Sequence, residues 1–453
     1  MEAWVQQRLD EVKKELARDD LKAAERAVAD LHPADLAAVM EELSEPEKRD
    51  LFGVLSAKLA AEVVVELSDY SRDQIFEDIQ THRLAAIIDD MPSDEATDII
   101  ADLPDDQAQD VLSRIDLEDS VEVRTLLEYP EDSAGGIMQL ELVSVRAGQT
   151  ASEAIEAIRV KRDELEDFYN VFLVDHQDHI LGVLPLSKLI LADPDTKVTD
   201  LLDACPLVVQ ADEDQEDVAH KFRRYDVVSA PVVDNEGHLL GRITVDDVVE
   251  VLQEEAQEDM ARMAGLISED ELLHGYDVFR ASRLRLPWLL TNLMGGLLSG
   301  WLLWVFRVNL PDALFLLAFI PVIMAMAGNV GVQSSTIIVR GFAVGQVTYK
   351  NIWKVLFKEF RVAVVMGLAC GVAAGFVARF WHGNYWLGLV VGLAMTCAIS
   401  AASLMGTLAP AAFKRLNVDP AISSGPVVTT VNDILGILIY FGIASYFYRY
   451  LVI

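Results

Sequence analysis

Five long apolar stretches after Arg285 constrain this chain more than anything else in it. They run Leu286–Phe306, Ala313–Val339, Val362–Trp381, Tyr385–Leu408 and Pro426–Tyr448. Each is long enough to cross a hydrocarbon core, which takes about 20 apolar residues as helix. Charge divides at the same place. From Arg283 onward there are 12 Lys and Arg against 4 Asp and Glu, leaving 25 basic and 68 acidic residues before it. An acidic soluble half is therefore joined to an apolar membrane half.

This division excludes several classes. At 453 residues the chain is too long for one compact domain. The acidic half is a poor partner for nucleic acid, because phosphate contacts need Lys and Arg. Cys205, Cys370 and Cys397 form no CxxC pair, so neither a disulfide scaffold nor a thiolate zinc site is expected. The N-terminal MEAWVQQRLDEVKKELARDD is charged and helical in pattern, without an apolar signal-peptide core. Orientation follows from the basic residues between the apolar runs. With the N-terminus in the cytoplasm, ten Lys and Arg fall on inside segments and three (Arg307, Arg379, Arg449) on outside ones. The positive-inside rule then predicts a cytoplasmic N-terminus and an external C-terminus in the cytoplasmic (inner) membrane, with lipid around the five helices.

Polar residues inside the apolar runs carry the functional information. Asp433 is the only acid or base, tyrosines apart, in the fifth run. It lies seven residues past Pro426, about 10 Å along a helix. A carboxylate at that depth is costly unless it meets water, a cation or a partner. Its helical face includes Pro426, Thr429, Gly436 and Tyr440, and Asn432 is a neighbouring polar candidate. A protonated Asp bonded to an adjacent helix is the competing reading. In the second run Asn329, Gln333, Thr336 and Arg340 share one stripe at i, i+4, i+7 and i+11, and Gly328 and Gly331 permit close helix approach or local unwinding. That stripe also fits amide glue between helices. Gly295, Gly296 and Gly300 in the first run point to close packing. Glu359, just before the third run, is expected at the interface, a buried structural acid being the other reading. One carboxylate with amides and hydroxyls suits a hard cation, and Mg2+ binds through few carboxylates while keeping its waters. A two-fold axis would bring two copies of Asp433 together, so a homodimer with a shared pore is expected.

In the soluble half, residues 1–130 show helical spacing and short punctuation. LHPADLAAVMEELSEPEKRDLFGVL at 31–55 and MPSDEATDIIADLPDDQAQDVLSRI at 91–115 both read as helical hairpins. Ser93, ahead of Asp94 and Glu95, reads as a helix N-cap. From about Ile137 the period changes. FLVDHQDHILGVLPLSKLI at 172–190 recurs as PVVDNEGHLLGRITVDDVV at 231–249, a shift of 59 residues, and each copy reads strand, acidic turn, strand, helix. The acidic surplus has two readings: a solvated, salt-adapted surface, or a divalent-cation sensor whose carboxylates repel until ions bridge them.

Taken together, these pieces resemble the MgtE magnesium transporter/channel family over nearly the whole chain. The resemblance rests on the acidic helical N-domain, EYPEDSAGGIM at 128–138, the paired repeats, EEAQEDMARMAG at 254–265, RLRLPWLLTNLMGG at 283–296, GNVGVQ at 328–333 and SGPVVTTVNDILG at 424–436. It implies a multidomain fold. An all-α superhelical N-domain (1–130) precedes an α/β tandem CBS pair (131–253, repeats about 137–194 and 200–253). A connecting or plug helix (254–280) leads to a five-helix α transmembrane domain (281–453). It implies a homodimeric Mg2+ pore with Asp433 as principal acid and Asn329, Gln333, Thr336, Thr429 and Asn432 along the lining. The sensor acids it implies are Asp94, Glu95, Glu216, Asp226, Asp247, Glu255, Glu258 and Asp259, with the helix at about 247–276 carrying Mg2+ occupancy to the pore. MAGNVGVQ is poorer in glycine than the family's usual form, which bears on local backbone geometry. GRITVDD in the second CBS copy resembles an adenosine-binding pattern, with Thr244 and Asp247 suited to ribose, so ATP is a candidate regulator; the first copy has Pro185 and Lys188 at those places. No catalytic constellation supports an enzyme. Competing readings are an ion-coupled exchanger of Na+/Mg2+ type on the same scaffold and a membrane-anchored nucleotide sensor without transport.

Overall fold

The computed structural model describes residues 3–18, 20–162, 169–264, 278–309, 314–348, 350–416, 418–423 and 425–451. The chain divides into two compact units, Met1–Gln253 and Glu254–Ile453.

Before Leu127 the first unit is helical. Its described helices are α1 (Ala3–Leu16), α2 (Leu21–Val28), α3 (Pro33–Glu41), α4 (Glu45–Val54), α5 (Ala57–Val65), α6 (Asp69–Phe76), α7 (Thr81–Ile88), α8 (Ser93–Asp102), α9 (Asp105–Leu112) and α10 (Leu117–Leu126). Polar starts keep them short and well defined. Ser44 and Glu47 close a capping box on α4, and Ser56 and Ser68 accept the Leu59 and Ser71 amides at the starts of α5 and α6. From α1 to α9 each odd helix packs on the next odd one, and α2, α4 and α6 follow the same rule, as do α8 and α10. That stepping makes a superhelix with one continuous core through Leu36, Met40, Phe52, Val64, Leu84 and Ile88. Ser93 departs from its expected role as N-cap. It is the first residue of α8, and both its amide and its hydroxyl donate to the Glu141 carboxylate, at 2.8 and 2.7 Å. A distant carboxylate has taken over the capping of this helix end.

Two three-stranded sheets follow. In one, β1 (Ser144–Arg146) runs parallel to β2 (Asn170–Val174), which pairs antiparallel with β3 (Ile180–Pro185). In the other, β4 (Val209–Gln210), β5 (Ser229–Val233) and β6 (Leu239–Thr244) repeat the arrangement. Even the register irregularity recurs 59 residues on, at Leu173/Val174 and at Val232/Val233. Helices α11 (Ala151–Val160), α12 (Leu186–Leu191) and α13 (Gln215–Tyr225) complete the pair. Residues 128–139 dock against the second repeat: the Ala134 and Gly135 amides donate to the carbonyls of Glu213 and Ala211 at 2.7 and 2.9 Å. The glycines of the DSAGG segment are steric necessities there, because a Cβ on Gly135 would strike the Tyr129 ring and one on Gly136 the Pro130 carbonyl. Helix α14 (Val245–Ala264) leads out of this region. Of the expected connecting helix, 265–277 lie outside the described residues.

The second unit contains α15 (Val278–Asn309), a short 3-10 turn Leu314–Phe319, α16 (Ile320–Ala343), α17 (Ile352–His382), α18 (Tyr385–Arg415), α19 (Pro426–Tyr446) and α20 (Tyr448–Leu451). Five of its helical segments are long and apolar enough to cross a membrane. At the centre, α18 packs on α16, α17 and α19. Glycine sets the spacing: a Cβ on Gly371 or Gly375 of α17 would come within 2.5 Å of the Gly392 or Gly388 carbonyl oxygen on α18. In α15 only Gly295 meets a neighbour, Thr430. A Cβ on Gly296 or Gly300 would meet nothing within 4 Å, so close packing holds for one of the three. Glu359, expected at the membrane interface with a buried structural acid as the other reading, is buried at 6% exposure on α17, which begins at Ile352, before the apolar run.

Candidate functional site

In the membrane unit α16 and α19 cross at one tight point. A Cβ on Gly331 would collide with the Asn432 side-chain amide, and on its other side Gly331 meets Gly406 of α18. Helix α16 stays continuous through Gly328 and Gly331, so close approach, not unwinding, is what Gly331 provides. Asn432 is 1% exposed, and among the described residues neither of its side-chain polar atoms has a hydrogen-bond partner. The residues flanking this crossing behave differently. Asn329, Gln333, Thr336 and Arg340 are all exposed on α16, while Ser334 and Ser335 beside them are buried. Asp433, next to Asn432, is half-buried, as is Thr429, whose hydroxyl donates to the Gly425 carbonyl at 3.2 Å. Among the described residues Asp433 makes no ion pair. Tyr440, on the sequence-derived face of Asp433, is instead buried and anchors α19 by donating to the Leu316 carbonyl at 2.9 Å. The α16 stripe is thus uncovered on the face roughly opposite Gly331, while on α19 Asp433 lies one residue from the Gly331–Asn432 contact and is only half covered.

The soluble unit brings together acids that are 153 positions apart. Asp94, in the first turn of α8, is 7% exposed, and its Oδ1 has no hydrogen-bond partner among the described residues. Burial, then the neighbouring Asp247 charge, holds its carboxyl well above the usual range. Asp247, in the first turn of α14, is pushed up to about 6, mainly by burial. Its Oδ2 accepts both the amide and the hydroxyl of Thr244 at 2.8 Å, and its Oδ1 accepts Gln139 Nε2 at 3.4 Å. Gln139 is held there by paired backbone bonds to Arg242, 2.7 and 2.8 Å long. Glu95 adds a further repelling charge beside Asp94. Two buried acids with an orphaned oxygen fit a divalent ion better than they fit each other.

The other expected sensor acids lie elsewhere. Glu216 is in the first turn of α13 and Asp226 is its left-handed cap at the far end, roughly 15 Å along the helix, so one ion cannot touch both within a chain. Glu255, Glu258 and Asp259 sit near the end of α14. Asp259 is pushed up to about 6 by burial and by the nearby Asp419 and Glu255 charges. Among the described residues no three His, Cys, Asp or Glu converge tightly enough to enclose an ion by themselves. Sequence reading missed Gln139 and Glu141, which position the buried pair, and Asp419, which faces Asp259. Only the segment EYPEDSAGGIM, which ends beside Gln139, hinted at the first two.

Comparison with known proteins now decides the family. The MgtE divalent cation transporter model matches residues 320–443, the MgtE intracellular N domain model 31–132, and the CBS domain model 198–254. The magnesium transporter MgtE of Bacillus subtilis is 33% identical over 433 residues, covering 95% of this chain and 96% of that protein. The chain belongs to the MgtE family. Magnesium transporter MgtE of Enterococcus faecalis is 38% identical over 339 residues, or 74% of this chain and 73% of its own length. Among solved structures, the cytosolic domain of the Mg2+ channel MgtE in complex with ATP is 33% identical, with a TM-score of 0.51, covering 54% of this chain and 99% of that one. The multidomain architecture is therefore that of an MgtE protein: helical N-domain, CBS pair and multi-pass membrane helices.

Proposed function

We propose that this chain is a Mg2+ channel of the cytoplasmic membrane, acting as a homodimer and not as an enzyme. It passes Mg2+ down its electrochemical gradient into the cell and closes when cytosolic Mg2+ is high. The observation that carries this reading is the pair of polar features on helices that are otherwise apolar: the uncovered stripe Asn329, Gln333, Thr336 and Arg340 on α16, and the half-buried Asp433 on α19. Polar groups left bare at membrane depth are costly unless they line water or meet a partner. A two-fold axis beside Asp433 supplies both, doubling that carboxylate around a hydrated ion. Thr429 and Asn432 support the lining, Asn432 from within the protomer. Ten basic residues on one side against three on the other favour a cytoplasmic N-terminus and an external C-terminus.

Closure requires Mg2+ to bind the closed arrangement more tightly than the open one. The buried Asp94–Asp247 pair supports this, because its mutual repulsion is relieved by a cation. Glu95, Glu216, Asp226, Glu255, Glu258 and Asp259 are the further sensor acids. ATP is a second regulatory ligand under this reading, supported by the related cytosolic domain that holds it. Thr244 and Asp247 are the candidate ribose contacts, although here they are bonded to each other. The test is Mg2+ flux into liposomes bearing the purified chain, with Mg2+ varied on the cytosolic face. Flux that falls as that Mg2+ rises supports the channel; liposomes that never admit Mg2+ overturn it.

A further inference from the structure

The end of α14 is tied to the loop that precedes α19 by one basic side chain. Arg262 gives one guanidinium nitrogen to Glu258, a turn earlier on its own helix, and the other to Asp419, 157 residues away. Asp419 is itself fixed, because its Oδ1 accepts the Ala421 amide at 2.7 Å and caps the short turn Pro420–Ser423. Its Oδ2 is the oxygen that Arg262 takes. Beside this bridge the Met263 carbonyl lies 2.7 Å from where a Cβ on Gly425 would sit. Gly425 directly precedes Pro426, the first residue of the helix that carries Asp433. The end of α14 therefore rests on the start of α19.

The charge balance at this contact is unequal. Glu255, Glu258, Asp259 and Asp419 act on one another there, and burial raises the carboxyls of Glu258 and Asp259. Arg262 is the basic group that acts on Glu258, Asp259 and Asp419. Among the described residues, four carboxylates against one guanidinium leave the contact negative, so it remains open to a further cation while already holding one that cannot diffuse away.

We propose that Arg262 is a built-in counter-cation that latches α14 onto the α18–α19 loop without metal. This gives the chain a Mg2+-independent component of closure and lowers the Mg2+ needed to complete it. The proposal rests on the gating reading above. An ordinary i, i+4 surface pair would have no such effect, since exposed pairs contribute little. Here the second arm is long-range and ends on a carboxylate that is mostly covered.

The test uses the full chain and two readouts. In liposomes, Arg262→Gln should raise the cytosolic Mg2+ that half-closes the channel about fivefold or more, with Arg262→Lys in between. The charge exchange Arg262→Asp with Asp419→Arg should recover much of the loss, which a merely structural role would not allow. Independently of flux, spin labels at Met260→Cys and Leu416→Cys, with Cys205, Cys370 and Cys397 replaced, report the α14–loop distance in chelator. The short-distance population should fall in Arg262→Gln and return in the charge exchange. An unchanged distance distribution in Arg262→Gln overturns the latch whatever the flux shows. If the wild-type flux ignores cytosolic Mg2+ while the distances respond as expected, the gating reading fails and the latch stands.

Discussion

Asp94 and Asp433 are both carboxylates withdrawn from water, and the chain treats them in opposite ways. Asp94 is packed against a second acid and held by the scaffold, with Glu141 bonding the adjacent Ser93 and Gln139 bridging toward Asp247. Asp433 stands at a half-covered edge beside a helix crossing set by Gly331. One site is a strained pair whose members were brought together from distant parts of the chain. The other is a lone charge that protomer packing leaves incomplete. Relieving strain by binding an ion suits a sensor, which must change state. An incomplete edge suits a conduit, where an ion held too tightly would not leave. The contrast can be tested by removing each acid in turn.

The largest effect is expected at Asp433, where the conduit is proposed. Asp433→Ala should reduce Mg2+ flux to the level of empty liposomes, a loss of tenfold or more at about 1.4 kcal/mol per decade, while membrane insertion and size-exclusion behaviour stay intact. Near-normal uptake would end its pore role and, with it, the distinction between the two sites. Next comes the proposed sensor pair. Asp94→Asn with Asp247→Asn should leave maximal flux unchanged and weaken inhibition by cytosolic Mg2+ about fivefold or more. Loss of flux with unaltered inhibition would reverse the assignment.

The third effect is on stability and follows from the raised carboxyls. Asp247 titrates near 6 in the folded chain, above its ordinary value. Its contribution to stability is therefore full below the unfolded value and is lost as pH rises through about 6. In chelator the soluble unit should melt at a lower temperature at pH 7 than at pH 5, by about 2–4 °C for each kcal/mol involved. Mg2+ should restore more at pH 7 than at pH 5, and Asp247→Asn should flatten both trends. A melting temperature that rises over the same interval, and falls again on adding Mg2+, would show that the pair is not repulsive.

How much of this could be read from the sequence depended on distance along the chain. The five membrane helices follow from unbroken apolar runs, and the CBS pair from a 59-residue repeat that recurs down to its register irregularity. The α16 stripe was legible because helical spacing alone decides which residues share a face. Long-range juxtaposition left no such trace. Nothing in the spacing links Ser93 to Glu141, Arg262 to Asp419, or Asp94 to Asp247. Periodicity gave Asp433 an extended polar face, yet Tyr440 on that face is buried and bonded to Leu316, because a hydroxyl can anchor a helix as readily as it can line a channel. The start of α17 was not legible for a related reason: it begins among charged residues, where hydropathy cannot mark it.

The smallest effect is expected at an acid whose partner is basic. Asp234 sits in the turn between β5 and β6, accepts the His238 amide at 2.9 Å and pairs with the His238 ring at 2.8 Å. Its carboxyl is lowered to about 2 by the His238 ring and amide bonds it accepts at a solvent-open site, the reverse of Asp247, which burial raises. His238 is raised in turn, by that hydrogen bond first and then by the charges of Asp234, Glu236 and Asp175. Its ring stacks on His179 of the first repeat with centroids 4.5 Å apart, and His179 has the same relation to Asp175, at 3.1 Å. A histidine raised on folding stabilises fully below its unfolded pKa, and that contribution disappears as pH rises through the folded one. His238→Gln should therefore destabilise the CBS pair slightly at pH 6 and not at pH 8.5. These side chains are open to solvent, so the effect sits near the limit of a melting curve and is better read from imidazole NMR shifts of the full chain. There His238 should titrate above a free imidazole, and Asp234→Asn should bring it down. A His238 titration indifferent to Asp234 would mean that this hydrogen bond does not raise the imidazole.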